Sequence, residues 1–118
     1  AAKVAALTAN TKAQCHFFDS RKMLQFRLSG PASIWTEGPR WKTLFESLPA
    51  YALEDYAALT PPGTPGPRKS ESGLAAQHFT VIDIAIETLD WLSLSRQGHE
   101  RARFVWQDDK SFADFVTP

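Results

Sequence analysis

The chain has 118 residues and carries 13 Lys and Arg against 13 Asp and Glu, so its formal net charge is zero. Nucleic-acid-binding proteins usually show a basic excess, and membrane-surface segments show a basic amphipathic helix, so the composition argues against both partners. With 43% hydrophobic and 22% charged residues, the composition is typical of one globular domain over residues 1–118. It contains no apolar run of the roughly 18 residues that span a bilayer.

The single cysteine, Cys15, excludes an internal disulfide. One unpaired cysteine and no signal-peptide pattern together predict a cytoplasmic location. Because Cys15 alternates with polar neighbours on a predicted strand, we expect a buried and inert thiol. Together with three scattered histidines it has no zinc-binding spacing, so no metal site is predicted. The chain starts without Met in a helical run, which predicts that it is incomplete at its N-terminus.

The first third of the chain predicts a short helix followed by strands. Alanine and leucine favour the helix, whereas the strands show a period of two. The turn pair Asp19-Ser20 should join the first two strands in a hairpin. Gly30-Pro31 predicts a bulge or bend, since proline cannot donate to a ladder. The predicted segments are a helix over 3–10 and strands over 12–17, 22–29 and 32–36.

The middle of the chain predicts two helices, each introduced by a proline, and then a flexible Pro/Gly-rich loop over residues 60–73. The glycines of this loop do not match a phosphate-binding loop. Strands resume afterwards, with a hairpin turn at Arg96–His99 and a second turn at Asp108-Asp109. The predicted helices cover 39–48 and 51–59, and the predicted strands cover 79–87, 91–95, 101–106 and 112–116.

Cationic and polar side chains lie on two predicted strand regions that are far apart in sequence. Gln25 and Arg27 share one face of the second strand, and Arg101 and Arg103 share a face after His99. Guanidinium and ammonium groups bind phosphates, so Lys3 with the arginines could form a local anion site. The plainer alternatives are solvated strand faces and an exposed turn histidine. Trp91 is more often a core residue than a cofactor platform.

Three stretches, in the same order, resemble the FMN-binding split barrels of the pyridoxamine 5'-phosphate oxidase family. The first is Lys3-Val-Ala-Ala-Leu-Thr-Ala-Asn10 with the strand that ends at Asp19. The second is Lys22-Met-Leu-Gln-Phe-Arg-Leu-Ser-Gly30 with Ala32-Ser-Ile. The third is Leu89-Asp-Trp-Leu-Ser-Leu with Gly98-His-Glu-Arg-Ala-Arg-Phe-Val-Trp106. The resemblance implies an α+β fold that is mainly β, an antiparallel split barrel whose first strands are missing.

The resemblance also implies roles for individual residues in a homodimer that binds FMN at its interface. Lys3 would bind the FMN phosphate, and Gln25 would hydrogen-bond the flavin ring. Trp91 and Arg101 would contact the flavin from the partner subunit, and His99 would face a small-molecule substrate. Arg27 would add positive charge to the cofactor-binding set. The implied function is that of a flavin-dependent oxidoreductase.

Departures from the family pattern keep two alternatives open. The family's early FMN-binding strands would precede the chain, and the serine that precedes the helix lysine is replaced by alanine. An arginine expected two residues before His99 is Gln97. These differences are compatible with a module that binds flavin or another planar cofactor without turnover. They are also compatible with a structural β-rich fragment that associates through an exposed sheet edge.

Overall fold

The computed structural model describes residues 2–67, 69–71 and 73–118, so Ala1 and two residues of the predicted loop, Arg68 and Ser72, lie outside the described residues. Short helices accompany a mostly antiparallel sheet, which confirms the predicted mainly β class. No helix in the described ranges is long and apolar enough to cross a membrane. The elements are α1 (Ala2–Ala9), β1 (Lys12–Asp19), β2 (Leu24–Trp35), α2 (Pro39–Glu46), α3 (Ala50–Tyr56), α4 (Leu74–His78), β3 (Val81–Ile84), β4 (Thr88–Ser95), β5 (Gly98–Gln107) and β6 (Lys110–Val116).

The chain divides into two compact units. One unit comprises Ala1–Ala9 with Ile34–Asp83, and the other comprises Asn10–Ser33 with Ile84–Pro118. The strand order is β1-β2-β4-β5-β6, with β3 pairing β2 off this path. The single-domain organisation and the flexibility of residues 60–73 stay predictions.

The five strands in the second unit form a sheet with two chemically different faces. Directly opposed residues of an antiparallel pair point to the same side, and neighbours along a strand alternate. The register therefore assigns each side chain to a face. What we term the apolar face contains Phe26, Leu28, Leu89, Trp91, Ala102, Phe104 and Phe115. What we term the polar face contains Gln25, Arg27, Asp90, Arg101, Arg103 and Asp114.

Gly30 lies inside β2, where a second backbone segment packs closely against it. The β1–β2 ladder runs in continuous register from Lys12↔Pro31 to Asp19↔Leu24, so the predicted bulge at Gly30-Pro31 is wrong. A Cβ at Gly30 would lie 1.8 Å from the carbonyl oxygen of Ala85. The Ala85 amide also donates to the Pro31 carbonyl at 2.9 Å. Glycine is needed here because another backbone segment approaches closely.

Phe79 is the centre of the core of the first unit. Its ring is 7% exposed and packs against three other aromatic rings, those of Trp41, Phe45 and Tyr56. Trp41 and Phe45, one helical turn apart on α2, stack with centroids 5.0 Å apart. The Trp41 Nε1–H also donates to the Phe79 carbonyl at 3.0 Å. The side of α2 that carries Trp41 and Phe45 is therefore a packing face.

Several element boundaries differ from the predictions. Residues 74–78 form α4, a helix that the sequence did not predict, and β3 ends at Ile84 rather than continuing to Glu87. The helix predicted to reach Leu59 ends at Tyr56, because Ala58 forms a bridge with Ser70 at the base of the loop. Cys15 is half-buried rather than buried, since it lies on β1 at the edge of the sheet.

Candidate functional site

The polar face brings together three of the predicted cofactor-binding residues. Gln25 and Arg27 are on β2, and Arg101 is on β5, with β4 between the two strands. Gln25 opposes Leu92, and Leu92 opposes Arg101, so Gln25 and Arg101 lie on one cross-strand row. With adjacent strands about 4.8 Å apart, this row separates their backbones by about 10 Å. The alternation that predicted these positions is confirmed, including the shared face of Arg101 and Arg103.

Asp90 connects the arginines of the polar face. It lies on β4, where it opposes Arg27 on one side and Arg103 on the other. Its Oδ1 accepts a hydrogen bond from Arg101 Nε at 2.9 Å, and its Oδ2 accepts one from Arg101 Nη2 at 2.5 Å. Arg27 Nη2 lies 3.9 Å from the same Oδ2. A bidentate guanidinium–carboxylate pair of this kind fixes both position and orientation.

The contact changes the proton affinity of both partners. The hydrogen bond from Arg101 lowers the pKa of Asp90 below its usual value, and the positive charges of Arg101, Arg27 and Arg103 act in the same direction. Partial burial of the carboxyl opposes this effect. The same hydrogen bond raises the pKa of Arg101. Asp90 is therefore ionised at neutral pH, and both ions of the pair are present.

The three arginines of the polar face differ in their exposure and in their contacts with acidic residues. The side chain of Arg27 is 41% exposed and, among the described residues, makes only the long contact with Asp90. Arg101 is 32% exposed and held by two hydrogen bonds. Arg103 is exposed and opposes Asp114 on β6. Together, the three arginines and two aspartates of the polar face carry one net positive charge. Arg27 thus retains most of its donors for another anion.

Trp91 lies on the other side of the sheet from Gln25, Arg27 and Arg101. It opposes Phe26 on β2 and Ala102 on β5, both on the apolar face. An open groove of about 520 Å³ runs over this face, and Glu100 is the single charged residue among the described residues that line it. A ligand that lies on the polar face of one chain does not touch Trp91 of that chain. The role implied for Trp91, contact from a partner subunit, stays a prediction.

His99 and Lys3 are both exposed. His99 is the second residue of β5 and follows the turn Arg96-Gln97, two positions before Arg101 on the same strand face. Lys3 lies on α1, in the other unit, so its convergence with Arg27 and Arg101 stays a prediction. Among the described residues, no group of three or more His, Cys, Asp or Glu side chains is arranged to hold a metal ion.

Asp90 is the member of the site that the sequence analysis did not identify. In the sequence, Asp90 is a single carboxylate between Leu89 and Trp91. Because side chains alternate along a strand, it lies on the face opposite to both of these apolar neighbours. Recognising its partners requires the register between β2, β4 and β5, which no local pattern contains.

Comparison with known proteins identifies similar folds. No family model matches the chain, and no curated protein matches it in sequence. The solved structures include an FMN-binding protein related to pyridoxamine 5'-phosphate oxidase from Nostoc punctiforme. It has a TM-score of 0.75 and 18% identity, over 100% of this chain and 69% of that one.

A second similar structure is PhzG from Burkholderia lata, solved in complex with tetrahydrophenazine-1-carboxylic acid. Its TM-score is 0.66 and its identity 14%, and the match covers 95% of this chain and 61% of that one. The chain therefore spans about two thirds of the length of the proteins it resembles. At these identities the likeness concerns the fold alone, and it confirms the split-barrel class. Across the described residues the sheet is not closed, since its strand order ends at β1 and β6. The chain thus has the antiparallel sheet of a split-barrel fold.

Proposed function

We propose that this chain is the cofactor-binding part of an FMN-dependent oxidoreductase resembling pyridoxamine 5'-phosphate oxidase. The observation that carries the proposal is the convergence of Gln25, Arg27 and Arg101 on one face of the sheet. The fold is similar to that of a protein whose name describes it as FMN-binding, which supports the same proposal.

The residues of the polar face fit the chemistry of FMN. A phosphate requires cationic donors, and Arg27 has exposed guanidinium donors beside the fixed guanidinium of Arg101. The edge of the flavin ring requires an amide-type donor and acceptor. The half-buried Gln25 side chain forms no hydrogen bond within the described part of the chain. Its amide NH₂ donor and its carbonyl acceptor are therefore both available to a ligand.

When bound, FMN would accept a hydride from a small-molecule substrate. The protein would supply binding and orientation: Arg27 and Arg101, which Asp90 of the same chain contacts, for the phosphate, and Gln25 for the ring edge. The proposal thus assigns Arg101 to the chain that carries Arg27, whereas the resemblance implied a flavin contact from the partner subunit. The contribution of Lys3 to the phosphate stays a prediction. His99 would face the substrate. In the proposed homodimer the cofactor site lies at the interface, and Trp91 of the partner subunit supplies an aromatic contact. A cytoplasmic setting belongs to the same proposal.

Flavin titration tests this function. We expect the protein, in its longest natural form, to quench FMN fluorescence and to bind FMN more tightly than riboflavin, which lacks the phosphate. Arg27→Ala should weaken FMN binding about tenfold, which corresponds to the loss of one charge-assisted hydrogen bond. The affinity for riboflavin should not change. Arg21→Ala is the matched control, because Arg21 is exposed in the β1–β2 turn. Equal affinity for both flavins, or no binding of either, contradicts the proposal.

Gln97 in the β4–β5 turn favours a second candidate, a flavin-binding module without turnover. The resemblance implies an arginine there that would hold substrate. Hydrogen peroxide production from pyridoxamine 5'-phosphate and oxygen by the FMN-loaded protein would exclude this candidate. Binding of FMN without peroxide, and without oxidation of a reduced nicotinamide donor, would support it. A chain that binds no flavin but dimerises would instead support the structural-fragment alternative.

A further inference from the structure

Asp90 lies where two arginines from different strands meet. Its Oδ2 atom faces Arg101 Nη2 from β5 and Arg27 Nη2 from β2. Two guanidinium groups brought this close repel each other, and a carboxylate between them offsets that repulsion. Because Arg101 uses only Nε and Nη2 for Asp90, its Nη1 donors remain available to another acceptor.

We propose that Asp90 is a positioning residue that holds Arg27 and Arg101 so that both guanidinium groups bind the phosphate of FMN. This rests on the proposed function. Asp90 itself does not touch the phosphate, since two anions repel. It sets the distance between the two cations and orients the Arg101 plane, so that donors from β2 and β5 face the same anion without prior rearrangement.

A simpler role for Asp90 predicts the opposite result. If the carboxylate only neutralises positive charge, its removal raises the net charge of the polar face and attracts phosphate more strongly. Asp114 allows the two roles to be separated. It lies on the same face, opposite Arg103 on β6, and forms no ion pair in the described part of the chain. Asp114→Asn therefore makes the same charge change without disturbing the Arg27–Asp90–Arg101 contact.

The experiment compares FMN and riboflavin binding for the wild type, Asp90→Asn and Asp114→Asn at physiological salt, with folding checked by circular dichroism. We expect Asp90→Asn to lose about tenfold in FMN affinity and to keep its riboflavin affinity. Asp114→Asn should bind FMN as tightly as the wild type or more tightly. If Asp90→Asn binds FMN as well as Asp114→Asn, the positioning role is overturned.

Asp90→Glu provides a test at unchanged charge, and it also serves if Asp90→Asn does not fold. The extra methylene displaces the carboxylate, so a smaller loss of FMN affinity is expected, and wild-type affinity would overturn the proposal. A wild type that binds no FMN contradicts the proposed function instead. In that case inorganic phosphate replaces FMN as the probe for the same variants. Its binding is measured by the line broadening of its phosphorus NMR signal. Absence of phosphate binding in the wild type would overturn both proposals.

Discussion

The backbone of Gly30 runs so close to the carbonyl group of Ala85 that no side chain fits between them. The atom that a substitution would strike belongs to the backbone, which cannot move aside as the end of a long side chain can. Gly30→Ala therefore forces β2 and the segment after β3 apart. We expect a loss of about 2–3 kcal/mol in the free energy of unfolding, measured by urea denaturation.

Ser33→Ala is the control for this substitution, because it places the same methyl group on the same strand at an exposed position. Its free energy of unfolding should stay within about 0.5 kcal/mol of the wild type. Equal stability of Gly30→Ala and Ser33→Ala would show that the two backbone segments do not approach as described.

Phe79 should dominate the stability of the first unit. Its ring is buried against Trp41, Phe45 and Tyr56, so Phe79→Ala removes three ring contacts and leaves a cavity. We expect the free energy of unfolding to fall by about 3–5 kcal/mol. Tryptophan fluorescence during denaturation measures this change. Tyr51→Ala is the matched control on α3, where the side chain is 73% exposed, and it should change stability by less than about 0.5 kcal/mol.

The Asp90 contact predicts a definite acid dependence. The hydrogen bond from Arg101 lowers the pKa of Asp90 in the folded state. Its contribution to stability is therefore complete above the unfolded-state pKa of about 3.9 and is lost as the pH falls through the lower folded value. The stability difference between wild type and Asp90→Asn should be constant from pH 5 to 7 and shrink below about pH 4. A difference that does not change in acid would refute the assigned cause.

Gln25 should affect both flavins equally, in contrast to the arginines. If its amide hydrogen-bonds the flavin ring, Gln25→Leu removes a contact that FMN and riboflavin share. The affinity for each flavin should fall by about 2–10-fold, the range for one neutral hydrogen bond, with their ratio unchanged. Fluorescence titration measures both constants. A loss confined to FMN would place the phosphate, rather than the ring, at Gln25.

The groove on the apolar face predicts binding of a hydrophobic dye. Phe115 lines this groove and is 81% exposed, whereas Phe112 is on the polar face of the same strand, β6. Phe115→Ser should reduce the fluorescence of bound anilinonaphthalene sulfonate more than Phe112→Ser does. Both variants should lose less than about 1 kcal/mol of stability, since the two side chains are largely exposed. Equal dye binding by the two variants would contradict the assignment of faces.

Local patterns were sufficient to predict the hairpins and the faces of their strands. The period of two placed Gln25 with Arg27 and Arg101 with Arg103, and Gly98 indicated the β4–β5 turn. The Asp108-Asp109 turn was also recognised, and both residues have positive φ, as a two-residue type I′ hairpin turn requires. Each of these features depends on residues that are close in sequence.

The features that were missed depend on contacts between distant segments. Gly30 suggested a bulge because its real constraint, Ala85, is 55 positions away in the chain. The five-residue helix α4 is too short for a helical period to show, and it precedes Phe79, which packs against α2 and α3. Asp90 is one carboxylate among thirteen acidic residues until the pairing of three strands places it between two arginines.

The two-residue turn Arg96-Gln97 determines which chemistry each side of the sheet presents. It fixes Ser95 opposite Gly98 and, through that register, Leu92 opposite Arg101. One inserted residue would shift β5 by one position and exchange its two sets of side chains. Arg101 and Arg103 would then point into the aromatic groove, and Phe104 would lie on the face of Asp90. The length of a solvent-exposed turn thus decides whether the arginines of β5 lie on the same side of the sheet as Arg27 and Asp90.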